Sequence, residues 1–111
     1  MTKNYLDHIK YLESVGFERE IVTDSIDIFS KKYGDYIMQI MFDLFDTCED
    51  VYLSLYKPLF DEEETELELY TYLVKAPYNI VNVLSMLEYI AITINDLENY
   101  LEQLKEEAAD D

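Results

Sequence analysis

Apolar positions recur along this chain at spacings of three and four, with polar positions on the opposite side. Tyr5, Ile9 and Leu12 form one such stripe, and Gly16 follows it as a residue that stops a helix in the left-handed conformation. Val22, Ile26, Phe29 and Tyr33 oppose Glu20, Asp24, Asp27 and Lys31, and Gly34 comes next; Ile26-Asp27-Ile28 also fits a short strand. From Tyr36 to Phe45, β-branched and aromatic residues are dense enough for a strand, so the polar positions decide. Gln39, Asp43, Asp46, Asp50, Ser54 and Lys57 recur every three or four residues, opposite Ile37, Met41, Leu44, Cys48, Val51 and Leu55. A strand would put Ile37, Met41 and Phe45 on one face with Gln39 and Asp43. The pattern therefore predicts a helix from Asp35 to Lys57, ended by Pro58.

Asp61 with Glu64 three residues on reads as a capping box. Leu67, Tyr70 and Val74 then line one face of a helix up to Pro77. The last segment is a heptad seam of Val83, Leu87, Ile90, Ile94, Leu97, Leu101 and Leu104. A helix over residues 78–107 is about 45 Å long at a rise of about 1.5 Å per residue. One small bundle does not cover that length, so part of it projects or meets a second copy. The expected fold is all-α, one domain over residues 1–111, a bundle of four or five helices with a long C-terminal helix. The alternative is α+β, with a small antiparallel sheet in residues 20–75.

Charge changes the picture more than composition does. The 111 residues carry 25 acids against 8 Lys and Arg, a formal net charge of −17. Residues 1–34 hold six acids and five bases, while residues 35–111 hold 19 acids against Lys57, Lys75 and Lys105. Solubility needs about 2 to 8 charges in a small domain, and self-repulsion beyond that lowers stability. This balance argues against direct binding to nucleic acid or an anionic membrane. No apolar run approaches the roughly 20 residues of a membrane span, and the N-terminus is soon polar, unlike a signal peptide. A single cysteine, Cys48, makes no internal disulfide and suits a reducing compartment, so a cytoplasmic location is expected.

The residues offer no chemistry. His8 is the only histidine, Cys48 sits in an apolar stripe, and Gly16 and Gly34 are isolated rather than part of a phosphate loop. The acids lack the histidines of a di-iron bundle and the glycine of a calcium loop. The expectation is a non-enzyme with no catalytic, metal or cofactor residues. What remains is acid: Asp43, Asp46, Glu49 and Asp50, then Asp61, Glu62, Glu63 and Glu64, with few bases nearby. Carboxylates on one helix face stand about 5 to 6 Å apart, close to the repeat of a phosphate backbone. Tyrosine supplies contact area that tolerates water, and Tyr52, Tyr56 and Tyr72 lie nearest these polar positions.

In size, charge and expected helicity the chain resembles the small acidic proteins that phages make against host defences, the DNA-mimicking anti-restriction and anti-CRISPR inhibitors. That resemblance implies a stoichiometric inhibitor, without cofactor, that occupies a basic nucleic-acid-binding protein through the acids and tyrosines named above. The alternatives are an immunity protein or antitoxin that neutralises a nuclease toxin, and a homodimeric adaptor or chaperone. Val83, Leu87, Ile90 and Ile94 are the expected self-association residues of such a homodimer.

Overall fold

The computed structural model describes residues 3–23, 25–44, 50–58 and 66–109. Its elements run α1 (Lys3–Ser14), β1 (Glu18–Val22), β2 (Ile26–Tyr33), β3 (Tyr36–Asp43), β4 (Asp50–Pro58), β5 (Glu66–Val74) and α2 (Ile80–Ala109). The strands form one antiparallel meander, each beside its neighbour in sequence. The fold is therefore α+β, which corrects the all-α bundle and its four or five helices. The expected alternative, an antiparallel sheet within residues 20–75, is the one that fits.

Alternation decides the sheet. Tyr36, Met38, Ile40 and Phe42 are buried on one face of β3, opposite Val51, Leu53 and Leu55 of β4 and beside Phe29 of β2. Tyr5, Ile9 and Leu12 of α1 and Val83, Leu84, Leu87 and Ala91 of α2 close over that face and complete a single core. The other face carries Ile37, Gln39, Met41 and Asp43 of β3, all half-buried. The apolar and polar residues whose sharing of a face argued against a strand do share one. A sheet face left open to water tolerates that mixture.

Three local devices explain the misplaced helices. Gly34 ends no helix; it sits at φ +57° in the two-residue turn between Tyr33 and Tyr36, a conformation that favours glycine. Pro58 closes β4 rather than a helix. In β5 the pairing skips a residue between Tyr70, opposite Leu55, and Glu68, opposite Tyr56. That bulge returns Leu67, opposite Lys57, to the same face as Tyr70 and Val74. A spacing of three within a bulged strand thus imitates a helical stripe. The expected capping box at 61–64 and the cysteine Cys48 lie outside the described residues.

The two terminal helices match their patterns. Gly16 takes φ +99° just after α1. α2 has 30 residues, about 45 Å, against about 30 Å for a nine-residue strand. Its buried residues end at Ala91, every side chain from Asn99 to Ala109 is exposed, and the long axis of the molecule reaches 60 Å.

Candidate functional site

Two ionic contacts organise the described side chains. Asp27 is fully buried under α1, where Arg19 donates to both of its oxygens at 2.8 and 2.7 Å and the Tyr5 hydroxyl donates to one of them. Burial, then the hydrogen bond to Asp27, pushes the Tyr5 hydroxyl pKa well up, and the hydrogen bond with Asp27 raises that of Arg19. At the far end of the sheet, Glu98 of α2 accepts the Tyr36 hydroxyl at 2.6 Å and the Lys57 ammonium at 3.0 Å on one oxygen. The Tyr36 hydrogen bond, then Lys57, holds the Glu98 carboxyl below its usual range, while burial and Glu98 push Tyr36 up. Both contacts serve the fold, joining helix to sheet.

Among the described residues, the expected partner-binding residues fall on both faces of the sheet. Asp43 and Asp50 end β3 and begin β4, directly opposite each other on the open face, where Asp50 Oδ1 accepts the Ala76 N–H at 2.9 Å. Tyr52 and Tyr56 follow on the same face, opposite Met41 and Ile37. Tyr72 stands opposite Leu53, so it belongs to the helix-bearing face, 51% exposed. Asp46, Glu49, Asp61, Glu62, Glu63 and Glu64 lie outside the described residues. The segment 45–49 connects β3 to β4 and the segment 59–65 connects β4 to β5.

The expected self-association residues divide in another way. Val83 and Leu87 are buried in the chain's own core, and Ile90 and Ile94 pack partly against it. Their seam continues into Leu97, Leu101 and Leu104, which are exposed. By length and composition α2 would also pass as a membrane span. Its inner face packs on the sheet instead.

A second acidic group becomes visible only in three dimensions. Because Lys57 and Tyr36 reach Glu98, α2 leaves the sheet at the end where β4 stops and β5 begins. Glu66 starts β5 there, Asp35 occupies the adjacent turn, and Glu102, Glu106 and Glu107 continue outward along α2. Glu98, Glu102 and Glu106 repeat every four residues, a rise of about 6 Å. The four-residue spacing was legible in the sequence; that Glu66, opposite Pro58, sits at the same end of the sheet was not. Among the described residues the ion pairs are Arg19–Asp27 and Lys57–Glu98, and neither involves Glu66, Glu102, Glu106 or Glu107.

His8 lies between the rings of Phe42 and Tyr78, at centroid distances of 6.1 and 5.2 Å. Among the described residues no three His, Cys, Asp or Glu side chains are grouped to hold a metal ion. No family model, no curated protein and no solved structure shows significant similarity to this chain.

Proposed function

We propose that this protein is a non-catalytic inhibitor that binds a basic nucleic-acid-binding protein in place of its phosphates. One observation carries the reading: acids are concentrated where they cost stability. Glu106 and Glu107 occupy the last turns of α2, which has no base in its final turn, and the negative end of the helix dipole disfavours acids there. Glu102 and Glu106 stand four residues apart, the spacing at which like charges repel. Such an arrangement on an exposed, projecting helix suits a partner that supplies the missing positive charge. Long-range attraction would speed association with a basic channel, and many weak contacts would act together.

The test is competition. The partner captured by the tagged protein from its native host should be released by duplex DNA or by RNA, and by raising salt from 0.1 to 1 M, where the Debye length falls from about 10 to about 3 Å. Replacing Glu102, Glu106 and Glu107 together by Lys should weaken capture more than tenfold. A captured partner indifferent to nucleic acid, to salt and to that triple replacement would overturn the reading.

A further inference from the structure

The two edges of the sheet are built differently. β1 is five residues long, carries Glu18, Arg19 and Glu20, and lies next to α1. Short length, charge and cover are the usual protections of an edge strand. β5 is nine residues long and, from Tyr70 to Val74, has no Pro and no charge, and among the described residues no strand lies beyond it. Tyr72 is half exposed on the helix-bearing face, and Thr71 and Leu73 are exposed on the other.

Hydrogen-bond direction follows from the β2–β3 turn. A two-residue turn makes Tyr33 and Tyr36 a hydrogen-bonded pair, so Tyr36, Met38, Ile40 and Phe42 bond to β2. Alternation then directs Gln39 and Met41 to β4, Leu53 and Leu55 to β5, and Tyr72 and Tyr70 back to β4. The N–H and C=O groups of Thr71 and Leu73 are left pointing out of the sheet.

We infer that β5 is a homodimer edge, where residues 70–74 of two copies pair antiparallel about Tyr72 and extend the sheet to ten strands. Thr71 and Leu73 of one copy bond to Leu73 and Thr71 of the other, making four backbone hydrogen bonds. Tyr72 meets its own counterpart at the two-fold axis. Charge selects this register. Centring on Tyr72 keeps the two copies of Glu68 eight residues apart, about 26 Å, whereas centring on Tyr70 would bring them within about 13 Å. It also carries Lys75 of each copy toward Glu68 of the other. The two-fold axis runs through the sheet, so both α2 helices lie antiparallel on the same side and their acidic ends point away from each other. This assembly is independent of the proposed inhibitor role.

Sedimentation equilibrium of the full chain at high micromolar concentration should give twice the 13.2 kDa chain mass. Amide hydrogen exchange should show Thr71 and Leu73 protected at that concentration and at least tenfold faster on dilution to the monomer. T71P removes an outward N–H while sparing the β4 ladder, and Y72K places like charges on the axis. Either should return the mass to 13.2 kDa with an unchanged far-UV circular dichroism spectrum. A wild-type monomer at high concentration would overturn the proposal. So would a dimer in which the Thr71 and Leu73 amides exchange as fast as in unfolded chain, since it would use another surface.

Discussion

The Tyr36 hydroxyl donates to Glu98 Oε2 at 2.6 Å and so joins the first residue of β3 to the sixth turn of α2. With Lys57 on the same oxygen, this contact marks where the helix leaves the sheet. It also fixes the end of the molecule from which the uncompensated acids project.

Glu98 gives a signed pH dependence. Its folded pKa is depressed, by the Tyr36 hydrogen bond first and Lys57 second. The stability it contributes is therefore fully present above the ordinary glutamate pKa of about 4.3 and is lost as pH falls through the depressed value. The side chain is 35% exposed, so E98Q should cost only about 1 kcal/mol at pH 7. Urea unfolding of the two proteins should converge as the pH drops toward 3. A difference that stayed constant with pH would show that the charge of Glu98 is not involved.

Asp27 should behave as a buried pair member. D27A leaves Arg19 and the Tyr5 hydroxyl without their acceptor and should destabilise the fold by about 3 to 5 kcal/mol. The combined replacement of Arg19 by Met and Asp27 by Leu should recover part of that loss, because no charge is then buried. Chemical denaturation of both variants measures the difference.

The heptad seam should split energetically at the sheet boundary. Leu87 is fully buried, and L87A should cost about 2 to 5 kcal/mol. Leu101 lies on the same stripe beyond the sheet, and L101A should stay within about 0.5 kcal/mol of wild type. Equal losses at the two positions would mean that something covers the projecting half of α2.

The acids at the end of α2 should trade stability for binding. Lys at Glu106 and Glu107 complements the helix dipole and should raise stability by about 0.3 to 1 kcal/mol each at low salt. The same double variant should bind the captured partner more weakly. Thermal unfolding and a pull-down on one preparation test both signs together.

The terminal helices and the placement of charge are legible in the residues alone. Tyr5, Ile9 and Leu12 share a helical face, Gly16 stops that helix, and the seam from Val83 to Leu104 is too long and regular for any other element. Each of these signals is local, and no distant residue is needed to read it. Residues 18–74 were ambiguous because period two and period 3.6 both fit them. Ile37 and Met41 are apolar on the open face, which hid the alternation of Tyr36, Met38, Ile40 and Phe42, and the bulge in β5 gave Leu67 and Tyr70 a helical spacing. Only tertiary pairing resolved that, because a strand's backbone groups are satisfied by neighbours far along the chain. The acids divided in the same way. Their excess was legible residue by residue, but Asp43 opposite Asp50, and Glu66 at the end of the sheet where Lys57 holds Glu98, exist only because the strand ladders bring them there.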